Sequence, residues 1–187
     1  INLLLDSMAE GIYGVDTRGD CTFVNPAGLR LLGYEHADDL LGRHIHELIH
    51  HHHVDGRPYP ADECRAYRAH AEDSGIHVDD EVFWRRDGTS FPVEYWSYPM
   101  RQDGQAIGSV VTFLDISERR QGEERLYAAR QMLQHVINTV PHFVFWKDRD
   151  FRYLGCNEAF ARLGGMEPDE LVGKSDDETP WHRHADL

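Results

Sequence analysis

The sequence predicts an α+β fold in which five antiparallel strands form one sheet with helices packed on one face. Asp-Gly dipeptides at residues 87–88 and 103–104 separate runs rich in β-branched and aromatic residues, as in β-hairpins. After the two shorter runs near the start, apolar residues at helical spacing end at a glycine, which is typical of short helices. The predicted strands are Ile12 to Asp16, Cys21 to Val24, Val78 to Arg86, Ser90 to Met100 and Ala106 to Leu114.

The hairpin around Asp87-Gly88 is the strongest local signal in the chain. A two-residue turn at this dipeptide sets a register that gives one apolar face, able to cover a core. The same register places Glu81 opposite Glu94, an unfavourable pair of like charges. The predicted apolar pairs are Trp84 with Phe91 and Val82 with Val93, followed by Asp80 with Tyr95.

Two motifs in this region resemble the C-terminal half of a PAS sensory domain. Residues 84–94 read W-R-R-D-G-T-S-F-P-V-E, and D-I-S-E-R follows at residues 115–119 after a second Asp-Gly turn and an apolar strand. Bacterial PAS domains often carry a similar R-[RK]-D-G-[ST]-x-[FW]-P-V run and a last strand that ends in D-I-[ST]-E-R. The resemblance implies a PAS sensory domain over residues 1–117 of a bacterial signal-transduction protein, but it implies neither a ligand nor an output.

The pattern of the N-terminal region returns 132 residues later, with a one-residue deletion near the end. Self-similarity over the length of a domain indicates a tandem duplication. Residues 140–187 are therefore predicted to be the N-terminal half of a second PAS domain, incomplete in this chain. The matching positions are residues 6–16 with 138–148, Asn25 with Asn157, Gly33 with Gly165, and residues 40–42 with 171–173.

Residues 118–139, between the two copies, are charged, helix-prone and without proline. Apolar residues recur at intervals of three and four, as a heptad seam requires. Two interpretations stay open: a helix that packs on its own domain, or a signalling helix that pairs in parallel with a second copy. The resemblance favours the second, and so a homodimer. The predicted seam residues are Leu126, Ala129, Leu133 and Val136, with Val140 continuing the spacing.

Six of the 13 histidines lie within residues 44–53. On a helix His46 and His50 would share a face, and Glu63 or Cys64 would complete a tetrahedral set of metal ligands. However, the nearby Asp-Gly and prolines favour a solvated surface loop. A cluster that responds to pH is a third interpretation. No metal site is predicted, and His46 and His50 are the weak candidates.

Residues 60–71 are predicted to form a helix before the hairpin. In PAS domains this helix walls the ligand pocket, and in haem-binding members it supplies an axial ligand, for which Cys64 and His70 are the candidates here. Ordinary packing of Cys64 is the alternative. The cysteinyl-flavin motif G-x-N-C-R-F-L-Q is absent, whereas haem and non-covalent FAD stay open, so the cofactor is unknown. The predicted pocket residues are Cys64, Tyr67, His70, Trp84, Phe91 and Tyr95.

Charge and cysteine content exclude several classes of partner. The net charge of −14 disfavours nucleic acid and anionic membranes, which carry charge of the same sign. The three cysteines are widely spaced and odd in number, so they suggest no disulfide framework and fit a reducing cytoplasm. No apolar run approaches the length of a membrane span, so no direct membrane contact is expected.

The sequence predicts a cytoplasmic sensory and dimerisation module without a catalytic residue of its own. It has no phosphate-binding glycine loop and no G-x-S-x-G motif. A small-molecule, redox or protein signal in the pocket would bias the last strand, and Asp115 and Ile116 would pass the change to the linker helix. The output would be a histidine kinase or diguanylate cyclase outside this chain. The alternatives are a structural PAS domain that binds no ligand and a haem or flavin redox sensor.

Overall fold

The computed structural model describes residues 8–68 and 75–180. The chain divides between Arg120 and Gln121 into two compact units. Among its described residues up to Ile116, the first unit contains five strands and three short helices. The strands are β1 (Gly11–Asp16), β2 (Cys21–Val24), β3 (Ile76–Trp84), β4 (Ser90–Gln102) and β5 (Gln105–Asp115), and the helices are α1 (Pro26–Leu32), α2 (Ile45–Ile49) and α3 (Arg65–Arg68), with a 3-10 turn at Ala37–Asp39.

The five strands form one antiparallel sheet in the order β2-β1-β5-β4-β3, which confirms the predicted α+β class. Strand β5 lies at the centre and pairs with both β1 and β4. The core lies between the sheet and the helices. Strands β1, β3, β4 and β5 supply most of its aromatic rings, which pack against one another in tilted, edge-on or stacked pairs. The ring centroids of Phe83 and Tyr95 are 5.5 Å apart, and those of Phe83 and Phe113 are 5.4 Å apart.

The turn of the β3–β4 hairpin has three residues instead of the predicted two. The backbone N–H of Arg85 donates to the carbonyl of Thr89 at 2.7 Å, which encloses residues 86–88. Within this loop Gly88 has a positive φ of 82°, and Asp87 does not. A three-residue loop with one left-handed glycine is the next most common hairpin connection after the two-residue type. The dipeptide therefore marks the hairpin correctly and its turn type wrongly.

The longer loop shifts the hairpin register by one residue, so the predicted pairing is wrong. A slip of one residue turns every side chain to the opposite face of the sheet. Trp84 consequently leaves the core and Phe83 takes its place, while Glu81 lies opposite a valine and the predicted contact with Glu94 does not form. A bulge between Val78 and Glu81 adds a further shift. The observed pairs are Trp84 with Ser90, Phe83 with Phe91, Val82 with Pro92, Glu81 with Val93 and Val78 with Tyr95.

The predicted helix at residues 60–71 is much shorter in the described part of the chain, where α3 covers only Arg65–Arg68. Residues 61–63 form turns before it. Residues 69–74, and with them the predicted ligand His70, lie outside the described residues.

The long helix α4 (Ser117–Thr139) occupies the predicted linker, and the second unit begins within it at Gln121. Strands β6 and β7 form a two-stranded antiparallel sheet. Across the described part of the chain, no helix has both the length and the apolar character that crossing a bilayer requires. The elements of this unit are β6 (Phe145–Lys147), β7 (Tyr153–Cys156), α5 (Glu158–Leu163), α6 (Pro168–Leu171) and a 3-10 turn at Asp176–Glu178.

Asn25 and Asn157 make the same hydrogen bonds in the two units. Asn25 Oδ1 accepts from the backbone N–H groups of residues 12 and 28 at 2.8 Å each, and its Nδ2 donates to the carbonyl of residue 10 at 2.9 Å. Asn157 Oδ1 accepts from residues 144 and 160, and Nδ2 donates to residue 142. All three partners repeat at the offset of 132 residues that the sequence shows. Each asparagine caps a helix and also joins it to the first strand of its unit.

Asp16 and Asp148 repeat in the same way. Oδ1 of Asp16 accepts from the N–H groups of residues 18 and 20, and Oδ1 of Asp148 accepts from those of residues 150 and 152. These aspartates hold the turns between the first two strands of each unit. The matched hydrogen bonds agree with a tandem duplication.

We expect Asn25→Ala to lower the free energy of unfolding of the first unit by about 3 kcal/mol, because two buried backbone groups and one partly buried carbonyl lose their partner. Urea denaturation followed by tryptophan fluorescence measures the loss. Thr17→Ala, at an exposed turn position, is the control and should stay within about 0.5 kcal/mol of the wild type. An equal effect of the two substitutions would contradict the capping role.

Candidate functional site

Helix α2 places two histidines inside the first unit. His46 and His50 are four residues apart, on the same face of the helix, and they are 5% and 3% exposed. The expected solvated loop is therefore wrong for these two residues. It holds for residues 54–57 beyond them, which are exposed.

Cys64 lies immediately before α3 and joins the histidines. Its side chain is 1% exposed, and its Sγ lies 3.3 Å from Nδ1 of His50. Burial raises the pKa of the Cys64 thiol to about 11, so the sulfur keeps its proton at neutral pH. The thiol then donates to Nδ1 of His50, which leaves the N–H of that imidazole at Nε2.

Glu81, on β3, is the charged centre of the site. Its carboxylate accepts hydrogen bonds from Tyr95 Oη at 2.7 Å, Tyr59 Oη at 3.0 Å and Arg65 Nε at 2.7 Å. Nε2 of His50 lies 3.0 Å from the Oε2 atom, within reach of the carboxylate but outside the angle of a regular hydrogen bond. Burial alone would raise the Glu81 pKa, but His50, Tyr95 and Arg65 outweigh it and lower that pKa to about 2.

His46 has one engaged and one free ring nitrogen. Its Nε2 lies 2.7 Å from the backbone carbonyl of Tyr59, which can only accept, so Nε2 carries the proton. Its Nδ1 is buried and has no hydrogen-bond partner among residues 8–68 and 75–180. Burial lowers the pKa of His46, the Tyr59 carbonyl opposing it in part, so the ring is neutral at physiological pH.

A small cavity adjoins these side chains between the sheet and the helices α2 and α3. Its volume is about 20 Å³, which holds about one water molecule. Pockets for drug-sized ligands measure roughly 300–1,000 Å³, and haem and FAD are at least as large as such ligands. The described cavity therefore fits neither haem nor FAD. Its lining includes Tyr13, His46, His50, Cys64, Tyr67 and Val111.

The predicted pocket residues fall into different places. Cys64 and Tyr67 line the cavity. Tyr95 and Phe91 are fully buried in the aromatic core, and Tyr95 meets the site through its hydroxyl on Glu81. Trp84 lies outside the cavity, where its Nε1 donates to the carbonyl of His52 at 2.9 Å.

Sequence reasoning missed Glu81 and Tyr59 as members of the site. With the two-residue turn, Glu81 faces Glu94 on the polar side of the hairpin, and only the three-residue loop turns it inward. Tyr59 lies in the segment that was predicted to be a surface loop, yet it is 7% exposed. An aspartate-glycine pair alone does not distinguish the two loop lengths, so no local signal identified Glu81.

Asp115 and Ile116 lie where β5 passes into α4. Oδ2 of Asp115 forms an ion pair of 2.7 Å with Arg85, and its Oδ1 accepts from the N–H of Ser117 at 2.9 Å. Ile116 is 4% exposed, and its N–H donates to the carbonyl of Pro92 at 3.0 Å. The strand end and the helix start are therefore fixed by one aspartate and one buried side chain.

Comparison with protein families decides what kind of domain this is. A family model described as the PAS fold matches residues 1–116, more than half of the chain, and a second PAS-fold model matches residues 137–187. The chain belongs to the PAS family. The PAS resemblance of the hairpin and of the D-I-S-E-R motif is thereby confirmed, and the second match covers the predicted second copy.

Relatives of this PAS protein are signalling proteins. A probable diguanylate cyclase of Escherichia coli is 29% identical over 141 residues, which cover 74% of this chain and 12% of that protein. The signal transduction histidine-protein kinase AtoS of Escherichia coli is 28% identical over 137 residues, which cover 70% of this chain and 20% of that protein. The chain thus spans only a small part of each relative.

A solved structure shows the same fold. The PAS domain of a protein from Colwellia psychrerythraea has a TM-score of 0.51 at 18% identity, over 62% of this chain and 93% of that one. At this level of identity the match supports the PAS fold and carries no information on ligand or output.

We expect Glu81→Gln to reduce the free energy of unfolding by about 3 kcal/mol at neutral pH. Because the folded-state pKa of Glu81 is lowered from 4.5 to about 2, its stabilisation is complete above pH 4.5 and is lost as the pH falls towards 2. The difference between wild type and variant should therefore shrink over this range. Urea denaturation at a series of pH values measures it.

Glu35→Gln, at an exposed position, is the matched control and should show no such pH-dependent difference. A difference between wild type and Glu81→Gln that stays constant from pH 7 to below 3 would show that the charge of Glu81 is not the source of the effect.

Proposed function

We propose that the first unit is a sensory module that relays the state of its internal cavity to an output domain outside this chain. The observation that supports the proposal is the course of strand β5. Val111 of this strand lines the cavity, and Asp115 at its end adjoins the start of α4. A change at the cavity wall thus has a path of four residues to the helix.

The junction is held by contacts that a modest change can shift. The ion pair between Arg85 and Asp115 is partly exposed, and Arg119 of the first helical turn pairs with Glu94 of β4 at 2.7 Å. Partly exposed ion pairs contribute roughly 0–1 kcal/mol each. A two-state switch must lie within a few kcal/mol of balance for a small ligand to move it, and these contacts meet that condition.

For the output we propose a histidine kinase or a diguanylate cyclase. Relatives of both classes match this chain over a small part of their own length, and the rest of each relative lies outside the matched region. The buried thiols fit a cytoplasmic location, since Cys21, Cys64 and Cys156 are all unpaired, as in a reducing compartment.

We also propose that α4 pairs with the same helix of a second copy. No residue of α4 is buried, which disfavours a helix packed on its own domain. Leu126, Leu133 and Val136 are 73%, 66% and 49% exposed, and they follow the heptad spacing of the predicted seam together with Ala129. Apolar side chains exposed in one row on a helix are typical of an interface with another helix.

The relay predicts that a change in the cavity alters the start of α4. We expect Val111→Ile, which adds one methylene group to the cavity wall, to change amide hydrogen exchange in residues 118–126 by about fivefold, equivalent to about 1 kcal/mol. In the Asp115→Ala background the same substitution should have no effect there. Hydrogen exchange measured by mass spectrometry or NMR tests both statements.

Val110→Ile is the matched control. It makes the same substitution at the neighbouring residue, whose side chain points to the other face of the sheet. Equal effects of the two substitutions on α4, or none from Val111→Ile, would overturn the relay.

For the seam, we expect Leu133→Glu to convert a dimer of this chain into a monomer, since it places two like charges where apolar side chains meet. Multi-angle light scattering should show the mass fall by half. Gln131→Glu adds the same charge at an exposed position off the seam and should leave the mass unchanged. A wild-type chain that is already monomeric would contradict the proposed dimer.

A further inference from the structure

Three side chains that bind transition metals meet at the wall of the cavity. His46, His50 and Cys64 are all buried, and one ligand atom from each lies within 4.8 Å of the others. Their residue types are a pair of imidazoles and a thiol, the ligands that Zn²⁺ and Cu⁺ prefer over the oxygen ligands of Mg²⁺ and Ca²⁺.

Both histidines place Nε2 next to an oxygen acceptor, in a regular hydrogen bond for His46 and outside the hydrogen-bond angle for His50. A ligating histidine almost always donates its second ring N–H to a carboxylate or a backbone carbonyl, which fixes the tautomer and the ring. Nε2 of His46 lies 2.7 Å from the carbonyl of Tyr59, and Nε2 of His50 lies 3.0 Å from the carboxylate of Glu81. The Nδ1 atoms are thereby left for an ion.

Nδ1 of His46 is buried and has no hydrogen-bond partner among residues 8–68 and 75–180. Buried polar atoms are nearly always paired, and an unpaired one calls for an explanation such as an ion that is bound there. The other, Nδ1 of His50, lies 3.3 Å from the Cys64 sulfur, so all three ligand atoms belong to one cluster.

We propose that Nδ1 of His46, Nδ1 of His50 and Sγ of Cys64 bind one Zn²⁺ ion. The adjoining cavity of about 20 Å³ provides a fourth position for one water molecule, and three protein ligands with one open position form a recognised zinc arrangement. On binding, the S–H bond of Cys64 breaks, the Zn–S bond forms and the proton passes to solvent. The carboxylate of Glu81 balances the remaining positive charge through His50.

Metal binding at this cluster does not require the relay proposed above, so each can fail without the other. The binding test uses the full chain, purified without a metal-affinity column and treated with a chelator. We expect elemental analysis after addition of Zn²⁺ and gel filtration to find one zinc per chain. Titration with Co²⁺ should produce a thiolate-to-cobalt charge-transfer band together with the visible bands of a tetrahedral site.

Two substitutions locate the site. Cys64→Ser should abolish the charge-transfer band, whereas Cys21→Ser should preserve it, since Cys21 is an equally buried thiol of the same unit outside the cluster. Glu81→Gln should weaken Zn²⁺ binding by roughly 10–100-fold, the usual cost of losing the partner of a ligating histidine. Circular dichroism confirms that each variant is folded before it is titrated.

The remaining outcomes overturn the proposal. Co²⁺ binding without a charge-transfer band, or with a band that survives Cys64→Ser, would place the metal on other histidines, such as those of residues 51–53. A folded wild-type chain that retains no zinc after gel filtration would exclude the site, and tight binding of Cu⁺ alone would show that the ion is wrongly assigned.

Discussion

The buried carboxylate of Glu81 is the constraint on which the arrangement of the first unit depends. A charge in a protein interior is stable only when hydrogen-bond donors and opposite charges surround it. Its partners come from α2 through His50, from the loop before α3 through Tyr59, and from β4 through Tyr95. One side chain of the sheet therefore fixes the segments that cover it. The same contacts orient His50 and so shape the wall of the cavity.

The sequence predicted the sheet well and the site poorly, and the reason is the range of the interactions involved. Local sequence signals indicate the strands and the repeat. These signals are turn residues and helix caps such as Asn25 and Asn157, whose hydrogen bonds recur at the predicted offset. The hairpin register depends on whether the loop has two or three residues, and Asp-Gly suits both. The one-residue error hid Glu81, because it assigned that carboxylate to the polar face.

The histidines were misjudged for a related reason. Composition around residues 44–53 indicates a solvated loop, but Nε2 of His46 pairs with a carbonyl 13 residues away and Nε2 of His50 lies beside a carboxylate 31 residues away. A polar residue is buried when distant groups pair with it, and local composition does not reveal such groups. The spacing of His46 and His50 correctly indicated that they share a helix face. That this face is buried follows only once Glu81 and Tyr59 are seen next to the two imidazoles.

A comparison of the two units separates what the fold needs from what the site needs. Both units keep the asparagine cap and the aspartate turn, so those residues serve the architecture. After the one-residue deletion, the position of His46 corresponds to Asp177, which is exposed. The second copy thus forms its first strands and helices without an imidazole at this position. Since the second unit forms the same first elements without it, the buried imidazole of His46 is not needed for them, and its Nδ1, which has no hydrogen-bond partner among the described residues, is available for the proposed zinc ion.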